Sequence, residues 1–208
     1  MRSIFQLTRM FLLILAAGWL LSVLVRSEFG NSSMKAEAIP DPVQRSEEEV
    51  YQFLQWDSRW GYQSYGSSSV GVSGCDPTCL SMVIYALTRN ESATPDQIAS
   101  FAEQRGYYIE GTGTAWALMT DGAAAYDVTS QELALDEALM KKYLQKGAPI
   151  ICAMGPGNFT AAGHFIMIYG YKNGKFLVND PNSRYRSQKE WDYAPLKNQI
   201  KALWCFYT

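Results

Sequence analysis

Apolar and polar positions follow three different patterns along the chain, and each predicts a different kind of segment. Met10 to Val25 is an almost unbroken apolar run, softened by Gly18 and Ser22, preceded by Arg2 and Arg9 and closed by Arg26. A helix of that length spans about 24 Å. A membrane-spanning helix needs roughly 20 residues and a signal-peptide core about 7–15, so the run falls between the two. No small-x-small cleavage site follows Val25 directly, and Ala36-Glu37-Ala38 lies well downstream. Residues 1–26 are therefore read as an uncleaved signal anchor, with a cleaved signal peptide as the alternative. Either way the basic flank stays inside and the rest is exported. This gives a cell-membrane location with one pass, or secretion. Residues 27–50 read as a polar linker: Ile39-Pro40-Asp41-Pro42 resists helix, and Ser46 is placed to cap a short one. The globular unit is residues 51–208.

Within that unit the period changes from helical to strand-like. Residues 51–66 are aromatic and turn-rich with no period, an ordered arm. Residues 67–74 are a loop of small residues. Cys79-Leu80, Met82-Val83-Ile84 and Ala86-Leu87 predict a helix buried nearly all round, starting near Cys75 with Pro77 in its first turn. Thr94-Pro95-Asp96-Gln97 has the form of a capping box, opening a helix that runs to Arg105 and stops at Gly106. Helices are also expected over 115–126 and 136–145, the latter ended by Gly147. Strands follow at 148–154, 164–171, 175–179 and 201–207, with mixed turn and short helix over 187–200. Asn173-Gly174 is a hairpin signal between the second and third. Helices followed by an antiparallel sheet make an α+β fold.

Composition narrows the function. The net charge is −2 with no basic stripe, which argues against a nucleic-acid partner. The four cysteines, Cys75, Cys79, Cys152 and Cys205, include no Cys-x-x-Cys pair, and the chain has one histidine, so a zinc site is not expected. Cys75 and Cys79 are one helical turn apart, which is poor disulfide geometry. Cys152 and Cys205 lie in strand-like runs, as neighbours or as separate buried residues. No P-loop motif occurs, and no cofactor is implied.

The single histidine, His164, is the only imidazole available for acid–base work near neutral pH. Cys75, at a helix start, gains help in ionising from the helix N-terminus and from a neighbouring imidazolium. An imidazole in that role needs a group to orient it. With Asn173-Gly174 at the turn, His164 faces a position near residue 183, and Asp180 lies at the same end. Cys75, His164 and Asp180 thus form the candidate catalytic set. Their bland counterparts are a structural cysteine, and an Asp180-Pro181 pair that merely ends a strand. Cys79 is expected in the core. Trp60, Trp116 and Trp191 line a cleft or fill the core, and residues 154–160 are a substrate-facing loop or an ordinary connection.

Ser73-Gly74-Cys75-Asp76-Pro77-Thr78-Cys79, Gly163-His164-Phe165-Ile166 and Asn179-Asp180-Pro181-Asn182-Ser183 resemble, in order and together, cysteine peptidase family thirty-nine. Gln55-x-Asp57-x-x-Trp60-Gly61, the stretch Gly111 to Trp116, and Met154 to Gly157 resemble its stand-alone exported branch. The resemblance covers about residue 52 to the C-terminus. It implies a papain-like fold, Cys75 as nucleophile, His164 as base and Asp180 as orienting acid, acting on a peptide or protein. Two departures stand out. Asp76 occupies a position usually held by Gly, and a carboxylate there opposes a thiolate. Ser69 stands six residues before the cysteine, where papain-like enzymes carry the glutamine of the oxyanion hole. Gln55 is the candidate replacement, with Gln63 second. The expected function is an exported, membrane-tethered cysteine peptidase. The alternatives are a catalytically silent peptide- or cell-wall-binding module, and an amidase or acyltransferase using the same dyad.

Overall fold

The computed structural model describes residues 52–208. The anchor, the linker and the Ser46 helix start lie outside the described residues. Among the described residues no helix is long and apolar enough to cross a membrane.

The centre of the molecule is a six-stranded antiparallel sheet. Two small hairpins precede it, β1 (Ser64–Tyr65) with β2 (Ser68–Ser69) and β3 (Tyr108–Ile109) with β4 (Gly113–Thr114). The sheet strands are β5 (Thr129–Glu132), β6 (Ile150–Met154), β7 (His164–Lys172), β8 (Lys175–Asn179), β9 (Glu190–Trp191) and β10 (Ile200–Tyr207), in the order β5-β10-β6-β7-β8-β9. The helices are α1 (Val70–Ser73), α2 (Cys75–Thr88), α3 (Pro95–Gln104), α4 (Glu137–Leu144), α5 (Arg184–Ser187) and α6 (Tyr193–Lys197). The α+β expectation holds.

Both faces of the sheet are covered, and this explains why β6 is apolar at every position. Ile151 and Ala153 face one core with Ala202, Trp204, Phe206 and the buried side of α2 and α3. Ile150, Cys152 and Met154 face the other, with Leu203, Cys205, Met140 of α4 and Leu196 of α6. The edge strands β5 and β9 are short, and β5 is polar throughout, which blunts pairing with other chains.

Several local expectations change. Residues 67–74 are not a plain loop, since they hold β2 and α1. Thr94 precedes α3 with Pro95 in its first turn, but its hydroxyl donates to Asp96 Oδ1 at 2.6 Å instead of capping a backbone N–H. The helix expected over 115–126 is shortened to one wide turn, Leu118–Gly122, with two more helical residues before the chain turns at 125–127. β5 escaped the reading because Thr129-Ser130-Gln131-Glu132 is a polar edge with no apolar face. By contrast, α4 begins as expected, with Asp136 Oδ1 accepting from the Leu139 N–H at 2.8 Å.

Candidate active site

The site lies where the start of α2 meets the start of β7. Cys75 is the first residue of α2, and Gly74 separates it from α1. A Cβ on Gly74 would lie 2.5 Å from the Val70 carbonyl oxygen. Only glycine lets the two helices join this closely. Cys75 is partly exposed, while Cys79, Cys152 and Cys205 are buried, and all four are free thiols.

The aromatic arm positions this corner. The Gly71 N–H donates to Gly61 O at 2.9 Å, and a Cβ on Gly71 would lie 2.8 Å from that oxygen. The Gln55 N–H donates to Pro181 O at 2.8 Å, and its Nε2 donates to Gly71 O at 3.1 Å. Gln55 thus ties the Asp180 segment to the residues before Cys75. An amide nitrogen carries two hydrogens, so one remains beyond the Gly71 bond. Its Oε1 is buried without a hydrogen-bond partner. Gln63, the second choice, is exposed, and its backbone joins Trp60 and Val70.

On the sheet side, His164 is the first residue of β7. The β7–β8 register runs Lys172↔Lys175, Tyr171↔Phe176 and Gly170↔Leu177, then shifts to Ile168↔Val178 and Met167↔Asn179. Tyr169 is the extra residue, a β-bulge. Continuing the turn-proximal register would set Asp180 opposite Met167, on the other face from His164. The shift sets it opposite Ile166, on the same face as His164, because side chains alternate along a strand. The sequence reading placed the two at one end of the hairpin but missed the bulge that turns them to one side.

His164 Nε2 donates to Asp180 Oδ1 at 2.8 Å, and both residues are buried. The same oxygen accepts from the Asn182 N–H at 2.8 Å, and Oδ2 accepts from Arg186 Nε. The Asp180 N–H donates to Ser187 Oγ at 2.8 Å, and Gln52 Nε2 donates to Asp180 O at 3.1 Å. Burial works against the charged form of Asp180. Donation from His164 and Arg186 outweighs it and holds the carboxyl below its ordinary range. Asp180 is thereby an acceptor only. The hydrogen of this bond therefore sits on His164 Nε2, and Nδ1 is the ring nitrogen left for other partners.

The two corners meet through the backbone. The backbone N–H groups of Phe165, next to His164, and of Asp76 and Cys75 favour ionisation of the Cys75 thiol. Burial of the thiol and the Asp76 carboxylate act against them and push Cys75 above its usual value. Asp76 does not point away to solvent. It is buried, its Oδ2 lacks a hydrogen-bond partner, and desolvation raises its carboxyl to about 7 despite Thr114. The Thr114 hydroxyl in turn shares a hydrogen bond with Tyr65. Taken alone, the helix corner thus favours a neutral thiol.

The tryptophans divide. Trp60 is core, Trp191 is buried against Phe159, and Trp116 is half-exposed with its ring edge to Trp204. The 155–160 loop is anchored rather than loose. The Asn158 N–H donates to Gln199 Oε1, and Gln199 Nε2 donates to Asn158 Oδ1 at 2.8 Å. Gln52, Thr114, Arg186 and Ser187 were not anticipated. Two arginines within six residues of a buried aspartate were the available signal for Arg186.

A family model described as Peptidase_C39 like family matches residues 41–207. A search of curated proteins returned no match. Among solved structures, a double glycine motif protease from an AMS/PCAT transporter, in complex with its leader peptide, is 16% identical. It covers 80% of this chain and 95% of its own, with a TM-score of 0.50. The likeness extends to the papain-like fold. The peptidase domain of Streptococcus ComA is 14% identical over 65% of this chain and 90% of its own, with a TM-score of 0.49. A C39-like peptidase from Bacillus anthracis is 14% identical over 76% of this chain and 95% of its own, with a TM-score of 0.43.

Proposed function

The chain belongs to the Peptidase_C39-like family, and from that premise we propose that it is a cysteine peptidase, exported and tethered to the membrane by residues 10–25. The observation that carries the reading is the buried His164 Nε2–Asp180 Oδ1 bond at 2.8 Å, at the start of the strand that packs on the helix opened by the partly exposed Cys75. As Cys75 Sγ attacks a peptide carbonyl, its proton passes to His164 Nδ1. The oxyanion takes the Cys75 N–H and the remaining Gln55 Nε2 hydrogen. The imidazolium gives its proton to the leaving amine, leaving a thioester on Cys75. His164 then removes a proton from water, the hydroxide displaces the thiolate, and the proton returns to sulfur. Asp180 holds the ring throughout and stabilises its charged form.

The peptide substrate is supported by the leader peptide bound in the related transporter protease. The tether is supported by the apolar run alone. The test is digestion of a peptide library containing double-glycine sequences, read by mass spectrometry. New termini that vanish in Cys75→Ala support the proposal; no cleavage of any member contradicts it.

A silent binding module is the second reading, favoured by the raised Cys75 thiol and the buried Asp76 beside it. Peptide binding without turnover, unchanged in Cys75→Ala, would establish it.

A further inference from the structure

Three arginines stand where the aromatic arm meets the Asp180 turn, and two of them are spent. Arg59 donates to the buried Asp57 from Nε at 3.0 Å and from Nη2 at 2.7 Å. Arg186 donates to the buried Asp180. Arg184 has no such partner. Among the described residues, no carboxylate lies within ion-pair distance of its guanidinium. It acts on Asp57 from further off, but that carboxylate is already held by Arg59.

Arg184 is braced on a ring instead. Its Cζ lies 5.7 Å from the Trp56 ring centroid. Trp56 follows Gln55, the proposed side-chain donor to the oxyanion, and its Nε1–H donates to Asn182 O at 3.5 Å. The Gln55 N–H donates to Pro181 O, and the Asn182 N–H to Asp180 Oδ1. Ring and guanidinium therefore sit on the turn that carries Asp180, and both are partly exposed. A guanidinium lying on an aromatic face keeps the N–H groups of its edge free, and that planar fork matches a carboxylate. Covering one face also takes water from it, which strengthens a charge pair formed at the edge.

The proposed mechanism gives this cation a direction. His164 passes its proton to the leaving amine, so the substrate beyond the cut runs past the ring. The turn from Asp180 to Arg184 continues from the group that holds that ring. We propose that Arg184, braced on Trp56, is a specificity-determining residue that takes a carboxylate on the leaving-amine side of the substrate, whether an Asp or Glu side chain or a free C-terminal carboxylate. The inference rests on the peptidase reading, which fixes the side of the cut that passes His164.

The test pairs peptides that differ in one carboxylate. One pair carries Glu or Gln beyond the cut, scanned over successive positions. The other ends in a free acid or an amide. The purified full chain is expected to cleave the carboxylate member of at least one pair about fivefold faster, as for a partly exposed ion pair. The pair that responds identifies the source. In Arg184→Gln the ratio falls to about one, and in Arg184→Glu a Lys in place of Glu becomes the preferred residue. Equal cleavage within every pair by the unmodified chain, or a preference retained in Arg184→Gln, overturns the proposal. Should no peptide be cleaved, the proposed function fails, and calorimetry of the same pairs on the full-length Cys75→Ala chain decides the subsite. Tighter binding of the carboxylate member, lost when Arg184→Gln is added, supports it. Equal binding, or no binding of either member, refutes it.

Discussion

Asp76 and Asp180 are both buried carboxylates of one site, and their surroundings treat them in opposite ways. Asp180 receives His164, Arg186 and the Asn182 N–H on its two oxygens, and stays ionised although none of it reaches solvent. Asp76 has Thr114 and its own backbone N–H, an Oδ2 without a partner, and a carboxyl raised to about 7. Burial is common to both. What differs is the number and the charge of the donors aimed at the carboxylate, and that reverses the outcome. The sheet corner therefore holds the proposed base in a fixed orientation. The helix corner holds the proposed nucleophile, whose thiol burial and Asp76 keep above its usual value.

Removing each carboxylate in turn separates the corners most sharply. Asp180→Ala leaves the half-buried Arg186 without its partner and His164 without its acceptor, so the expected cost is about 3 kcal/mol, read from urea unfolding. Asp76→Asn removes a charge the fold disfavours. Asp76 rises from 3.8 unfolded to about 7 folded, so its stabilising contribution is complete below pH ~4 and is lost as the pH rises through about 7. That span is worth up to ~4 kcal/mol. The unmodified chain should lose stability between pH 4 and 7 relative to Asp76→Asn, and parallel curves would contradict the account. Asp180 has the opposite sign. Its depressed carboxyl stabilises at neutral pH, and that contribution is lost as the pH falls below the usual carboxylate range.

Smaller effects sharpen the same contrast. Gln55→Ala removes the proposed side-chain donor to the oxyanion and should lower kcat about 10²-fold with KM little changed. Equal loss in KM would assign Gln55 to binding. In Asp76→Asn, Cys75 should alkylate several-fold faster at pH 8, because a negative charge beside the thiol is gone. Thr114→Val deletes one donor to Asp76 and should cost about 1 kcal/mol. It should also move the pH-dependent loss of stability to higher pH.

The sequence pattern was most informative where chemistry and period agreed. A lone histidine at a strand start, a glycine-cysteine pair at a helix start and an Asn-Gly turn between two apolar strands named His164, Cys75 and the hairpin. They also brought Asp180 to the correct end. Which face Asp180 presents depends on Tyr169, an ordinary strand residue in its sequence whose extra place in the ladder arises only from pairing. Asp76 was legible as an obstacle to a thiolate. That it is buried and nearly partnerless was not, because Thr114 approaches from a hairpin that the sequence marks only as a glycine-rich loop. Arg186 was missed for the same kind of reason: a basic residue on a short turn reads as surface until the fold sets a buried carboxylate beneath it.

The central claim is that Cys75 attacks peptide carbonyls with His164 as its base, and a peptidyl fluoromethylketone tests it most directly. Intact mass spectrometry of the treated full chain should find one adduct, mapping to Cys75 and lost in both Cys75→Ala and His164→Ala. No adduct at all, or an undiminished adduct in His164→Ala, would contradict the account.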